Sequence, residues 1–142
     1  TAKAGTDATI KGSVGADATA TAGRDADIDA DVGGSATLTA TRNAGLAGSI
    51  TGDAEIDAGA AIMLASARTL SVAGSLDADS GKNGAAGGAI TDTAAVTVAG
   101  ATTLDANAAS DIVLDNPGND FDNVDGITIK NAANVNIVDA IV

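Results

Sequence analysis

An 18-residue internal period constrains this chain more than any other feature. Ile10-Lys-Gly-Ser-Val14 is followed by Ile28-Asp-Ala-Asp-Val32 and then Leu46-Ala-Gly-Ser-Ile50. Between them a second segment recurs at the same spacing: Ala18-Thr-Ala-Thr-Ala22, Ala36-Thr-Leu-Thr-Ala40 and Ala54-Glu-Ile-Asp-Ala58. Glycines pause the pattern at one phase, around Gly15, Gly33-Gly34 and Gly52. Within each copy the side chains alternate with period 2, which marks strands rather than helices. In Asp25 to Val32, Ala26, Ile28, Ala30 and Val32 face one way and Asp25, Asp27, Asp29 and Asp31 the other. Alanine favours helix, but no i, i+3, i+4 stripe persists, and Gly and Thr recur too often for a stable helix.

Short strands, glycine turns and a fixed period predict a stack in which each copy makes one coil and successive coils pair in parallel. Stacking turns the period into columns. Val14, Val32 and Ile50 form one inward column; Ile10, Ile28, Leu46 and Leu64 form a second; Ala20, Leu38 and Ile56 form a third. Composition agrees with a narrow interior. Apolar residues make up 45% of the 142, mostly alanine, with one Phe and no Tyr or Trp. Large aromatic side chains, which carry much of an ordinary core, are nearly missing.

The period slips after Leu64. Gly74-Ser-Leu-Asp-Ala-Asp79 resembles Gly12 to Asp17, and aligning the two implies about eight inserted residues near Ala60 to Leu70. Ala60 to Ala67 reads as strand plus turn, and 80–88 as a loop. Further alternations follow at Ala95 to Val98, Asp111 to Leu114, Gly126 to Ile129 and Asn134 to Ile137, with a turn at Asn116-Pro-Gly-Asn119. Phe121 is expected to fold inward beside that turn. The chain therefore reads as one segment, 1–142: regular 18-residue coils over 1–79 with a slip near 60–70, a loop at 80–88, and looser coils over 89–142.

The formal charge is −12, from 19 acidic and 7 basic residues. That argues against nucleic acid, whose phosphates need Lys and Arg, and against attraction to an anionic membrane surface. No apolar run is long enough to span a bilayer, so no membrane insertion is expected. Without Cys or His there is no disulfide framework, thiol nucleophile, zinc-thiolate site or imidazole base. The chain begins with Thr1, which reads as a processed protein or a piece of a longer one.

Gly87 to Ala106 and Ser110 to Val124 resemble repeats of large bacterial exoproteins of the filamentous haemagglutinin type. The most specific element is Ile-x-Leu-x-Asn-x-x-Asn-Asp-Phe, at Ile112, Leu114, Asn116, Asn119, Asp120 and Phe121. The resemblance is good over 84–140 and one of general style before that. It implies a right-handed parallel β-helix exported by a two-partner or autotransporter route. Such proteins serve as adhesins, stalks or fibres and carry no catalytic motif. The expectation is thus an all-β solenoid of about seven coils of roughly 18–26 residues, an extracellular or surface-displayed shaft and not an enzyme. Its partners would be its own copies or adjoining β-helical repeats, and a host or neighbouring-cell surface. The alternatives are a filament subunit stacking head to tail through uncapped ends, at Val135, Ile137 and Ile141, and an ice- or calcium-binding solenoid.

No cofactor is implied; calcium is the one candidate ion. The acids Asp25, Asp27, Asp29 and Asp31 could offer oxygens, but alternate residues on a strand are about 7 Å apart. Their neighbours one coil on, Asn43, Gly45, Ala47 and Ser49, add few more. Asp120 and Asp122, in the Asn116 to Asp125 segment, are the second weak candidates, against turn residues satisfying their own backbone. Arg24 and Arg42 share a phase and stack beside Asp25 and Asn43; with no aromatic sugar platforms, this does not make a lyase groove. Thr19, Thr21, Thr37 and Thr39 form an outward array broken by Glu55 and Asp57, better explained by strand preference than by ice. Asn131, Asn134 and Asn136 suit amide ladders.

The face assignment is directly testable. Leu38→Asp buries an unpaired charge and should cost several kcal/mol, whereas Thr39→Asp should stay within about 0.5 kcal/mol. Thermal melting of the two variants decides it; equal losses would contradict the assigned faces.

Overall fold

The computed structural model describes residues 1–82, 86–121 and 126–140. Among these there are strands and turns and no helix. The strands are β1 (Ala2–Ala4), β2 (Ala8–Val14), β3 (Ala18–Ala22), β4 (Ala26–Val32), β5 (Ala36–Ala40), β6 (Ala44–Ile50), β7 (Ala54–Ala58) and β8 (Ile62–Leu64). They continue with β9 (Leu70–Val72), β10 (Leu76–Ser80), β11 (Ile90–Asp92), β12 (Val96–Val98), β13 (Thr102–Asp105), β14 (Ile112–Leu114), β15 (Ile127–Asn131) and β16 (Val135–Ile137).

The strands form two parallel sheets, which the chain visits in turn. The first has seven strands in the order β1-β3-β5-β7-β10-β13-β15. The second has nine, joining β2-β4-β6 to β8 and β9, then β11 and β12, then β14 and β16. Every pairing between named strands is parallel, and over the first three circuits the register is the 18-residue period. Ile10 pairs with Ile28, Val14 with Val32, Ala20 with Leu38. Ile28 then pairs with Leu46, Val32 with Ile50, and Leu38 with Ile56. Leu46 continues to Leu64.

Alternation sends one row of each strand between the sheets. In β3 and β5 the residues alternate between buried and half-buried along their whole length. The interior is lined by alanines in the early strands and by larger side chains later. Ile28, Leu38, Leu46, Ile50, Ile56, Ile62, Leu64, Leu70, Leu76, Ile90, Leu104 and Ile112 are all fully buried. Phe121 is 3% exposed and joins this core. Ile10 and Val14 stay half-buried because β2 pairs on one side only.

The expected insertion of eight residues is corrected here. Ile50 pairs with Val72 and Ala54 with Leu76, each 22 residues on, so the fourth circuit gains four residues, not eight. Gly74 to Asp79 therefore does not repeat Gly12 to Asp17 in place: Leu76 continues the Ala18, Ala36 and Ala54 row of the first sheet, not the Val14 row of the second. The similarity misled because a glycine-serine turn precedes a strand at more than one corner. The extra residues lie between β8 and β9, which pair side by side with the two halves of β6. The next circuit is longer again: Leu76 pairs with Thr102, and Ile62 with Ile90.

Corners carry their own hydrogen bonds. The backbone N–H of Ser35 donates to Asp17 Oδ1 (2.9 Å), that of Asp53 to Ser35 Oγ (3.2 Å), and that of Ser75 to Asp53 Oδ1 (2.9 Å). At another corner Asp25 N–H reaches Asp7 Oδ1 (3.4 Å) and Asn43 N–H reaches Asp25 Oδ1 (3.1 Å). Short polar side chains thus satisfy donors that the turning chain takes out of the ladder. Where the turns stack most tightly only glycine fits: a Cβ on Gly74 would lie 2.7 Å from the Gly52 carbonyl oxygen.

One inward polar atom lacks a partner. Thr102 occupies the row of Ala18, Ala36, Ala54 and Leu76, is 1% exposed, and its hydroxyl makes no hydrogen bond among the described residues. Thr102→Val keeps the shape and removes the orphan group, so it should stabilise the fold by about 1–3 kcal/mol in denaturant titration. A loss of stability would mean that the hydroxyl is satisfied.

Candidate functional site

With the apolar rows turned inward, chemistry is confined to the two outer faces and the corners. On the second sheet the acidic row of β4 sits between Thr9, Lys11 and Ser13 of β2 and Gly45, Ala47 and Ser49 of β6. The carboxylates are divided among arginines. Arg42 Nε donates to Asp25 Oδ1 at 2.8 Å, and its Nη2 pairs with Asp25 Oδ2. Asn43 adds its side-chain amide at 3.2 Å. The Arg42 contact first, then the Asn43 backbone N–H, hold the Asp25 carboxyl down at about 2 against desolvation. Arg24, one circuit earlier, lies 3.5 Å from Asp7 and 4.0 Å from Asp25.

Asp29 and Asp31 share a third arginine. Arg68 Nε donates to Asp29 Oδ1 at 3.0 Å, and Nη1 lies 2.8 Å from Asp31 Oδ1. Arg68 comes from the excursion between β8 and β9 and reaches across β6 to β4. The crossing depends on small residues below it: Ala47 is fully buried, and a Cβ on Gly48 (φ +113°) would stand 2.5 Å from Arg68 Nη2. The Ser49 N–H also donates to Asp31 at 3.2 Å. That bond, then Arg68, lowers the Asp31 pKa. Asp27 differs from its neighbours. It is half-buried beside Gly45, and desolvation followed by the Asp29 charge raises its pKa, with Lys11 opposing.

The first sheet carries a second charged column on its outer face. Thr21, Thr39, Asp57, Asp79, Asp105 and Asn131 succeed one another in register, and Thr19, Thr37, Glu55, Asp77 and Thr103 run beside them. Lys82 Nζ lies 2.8 Å from Asp57 Oδ1 and 3.6 Å from Glu55 Oε1. Asp105 accepts the Asn131 side-chain amide on both oxygens at 3.2 Å and the Asn107 N–H at 3.1 Å. Asn134 likewise donates to Asp111 at 2.8 Å, whereas Asn136 lies opposite Val113.

The Ile112 to Phe121 motif is built into the fold. Ile112 and Leu114 are fully buried. Asn119 is also fully buried: its Oδ1 accepts the Val96 N–H at 2.8 Å, and its Nδ2 donates to Asp92 at 2.6 Å and to the Leu114 carbonyl at 3.1 Å. Asn116 Oδ1 accepts the Gly118 N–H at 2.9 Å, a side-chain turn. The Phe121 N–H donates to Asp139 Oδ1 at 3.0 Å. The backbone of Asp120 bridges to Val96 and Val98.

Of the candidate calcium ligands, Asp25, Asp29 and Asp31 are thus engaged with arginines, Asp27 stands apart and Asp120 is in a different turn. Asp122 lies outside the described residues. Among the described residues no three acidic side chains converge as a metal ion would need. At the far edge Val135 is 49% exposed and Ile137 half-buried, while Ile141 lies outside the described residues. Sequence reasoning missed the Arg68 crossing, the Lys82 pairing and the Asp17-Ser35-Asp53-Ser75 corner. The corner was visible in Asp17, Ser35 and Asp53, polar residues 18 apart just before β3, β5 and β7, with Ser75 before β10 a further 22 on; the other two depend on where the irregular segments fold.

These features define an all-β repeat protein with two parallel sheets. A protein-family model described as repeats of unknown function (DUF5649) matches residues 67–128. No curated protein and no solved structure matches the chain. Among the described residues no helix is long and apolar enough to cross a membrane.

The arginine contact is the largest single cause of the depression at Asp25. Arg42→Ala should raise the Asp25 titration midpoint from about 2 toward the ordinary carboxylate value of 3.8, the Asn43 bonds holding back the rest. Because the folded value is depressed, the contribution of Asp25 to stability is present above the unfolded value and is lost as pH falls through about 2. Side-chain carboxyl NMR reads the midpoint; no change on losing Arg42 would refute the attribution.

Proposed function

We propose that this chain is a right-handed parallel β-solenoid of about seven coils that serves as the extracellular shaft of a bacterial surface protein, mechanical and adhesive rather than catalytic. The observation that carries this reading is the unbroken column structure, with side chains such as Ile28, Leu46 and Leu64 stacking in register from circuit to circuit. A stack of this kind transmits load along its axis through backbone hydrogen bonds, and its polar outer faces need no further partner to stay in water. At ~4.8 Å per coil, seven coils span roughly 34 Å. The resemblance of 84–140 to haemagglutinin-type repeats supplies the surface location and the adhesive role. Antibody raised against the chain should label intact cells of its source organism. Labelling only after permeabilisation would refute the surface assignment.

A second reading, end-to-end assembly, is favoured by where the charge falls. Residues 1–17 balance Lys3 and Lys11 against Asp7 and Asp17, and residues 126–142 balance Lys130 against Asp139; the net charge of −12 lies between them. Acidic flanks repel side-to-side contact, while among the described residues β1, β2, β15 and β16 each pair on one side only and Val135 and Val138 are exposed. Further parallel strands, from adjoining repeats or from another copy, would satisfy these edges. Electron microscopy over a range of concentrations separates the two readings: filaments with an axial repeat near 4.8 Å favour self-assembly, and monodisperse short rods favour the shaft.

A further inference from the structure

Three carboxylates of the first sheet stand directly above one another: Asp57 on β7, Asp79 on β10 and Asp105 on β13. Adjacent parallel strands are about 4.8 Å apart, so the three charges are stacked at close range on one face. Their partners are unevenly shared. Lys82 is spent on Asp57 and Glu55. Asp105 is bonded by Asn131 and the Asn107 N–H. Asp79, half-buried between them, has neither an ion pair nor a side-chain hydrogen bond among the described residues. It borders a cleft of about 290 Å³ lined also by Ser80, Gly81, Asn107 and Asn131. The charged groups acting on it are Asp57 from β7, Asp105 from β13, Asp77 on its own strand, and Lys82 on the turn that follows; Glu55 of β7 lies opposite Asp77.

We infer that the Asp57–Asp79–Asp105 column is an acid-sensitive seam, in which protonation of the middle carboxyl lets it donate a hydrogen bond to a carboxylate above or below and tightens the joint between β7, β10 and β13. With the middle carboxyl ionised, like charges stack along the column and the joint is looser. The neighbourhood supports the direction: desolvation first, then the Asp105 and Asp57 charges, raises the Asp79 pKa, against a smaller opposing effect of Lys82. A carboxyl whose folded value is raised contributes stability that is fully present below its unfolded value and lost as pH rises through its folded value. Asp27 acts with the same sign on the other sheet, while Asp25 and Asp31 act with the opposite sign. Global stability alone would mix these effects, so the test must be local.

The test is amide hydrogen exchange of residues 76–80 and 102–105, corrected for intrinsic rates, from below the ordinary carboxylate value of 3.8 up to neutral pH. Asp79→Asn, an isostere of the protonated form, is compared with Asp77→Asn, which removes the same charge beside the column. In the unaltered chain protection should fall as pH rises; in Asp79→Asn it should stay high throughout; in Asp77→Asn the fall should persist. Melting at pH 7.5 should place Asp79→Asn about 2–4 °C above the unaltered chain, with the gain vanishing at low pH. An unchanged pH dependence in Asp79→Asn, or its equal loss in Asp77→Asn, would overturn the seam.

Discussion

The structure depends on one repeated constraint: the backbone of each circuit hydrogen-bonds to the backbone of the next in parallel register. Because the bonds run from strand to strand, each side chain is held above its counterpart from the previous circuit. An inward position is therefore apolar in nearly every circuit that passes it, Ser80 and Thr102 being the small polar exceptions, and an outward position must tolerate its own kind as a neighbour. The alanine rows beneath Ala18 and Ala22, and the isoleucine and leucine row through Ile28 and Leu46, follow from the first requirement. The distribution of Asp, Thr, Asn and Arg on the outer faces follows from the second.

The same register makes like charges a structural problem. An acidic strand beside another acidic strand would repel along its whole length. On the second sheet the solution is to place Gly45 and Ala47 next to the β4 acids and bring arginines over them from three separate circuits. On the first sheet three acids are left in one column, with one lysine and an asparagine amide at its two ends. The sheets thus treat the same problem differently: on the second, arginines take Asp25, Asp29 and Asp31 while Asp27 keeps an unfavourable neighbour in Asp29.

Corners impose the other demand. A chain that turns between sheets takes N–H groups out of the ladder, and buried or half-buried donors must be bonded. Asp, Ser and Asn before β3, β4, β5 and β7 and at the corner before β6 and β10 meet that demand, and the turn around Asn119 does so with a side chain entirely inside the protein. The motif that stands out in the sequence is thereby a joint of the scaffold. Its conspicuous composition arises because a buried amide can bond three strands at once, donating to Asp92 and Leu114 while accepting from Val96.

Much of this architecture is legible without coordinates. The period places Ile10, Ile28 and Leu46, and Leu38 and Ile56, in their columns, because a parallel register carries sequence spacing directly into spatial neighbours. Period-2 alternation places the apolar residues inside, because successive side chains of a strand point to opposite faces. Where the spacing changes from 18 to 22 residues the sequence is ambiguous, since similar glycine-serine turns occur at different corners; backbone pairing decides that Ile50 meets Val72. The reach of Arg68 across β6 to Asp29 and Asp31, and of Lys82 back to Asp57, was likewise decided only in three dimensions. Long side chains on irregular segments have no period to follow. Their partners are set by which strands the tertiary structure brings within their length.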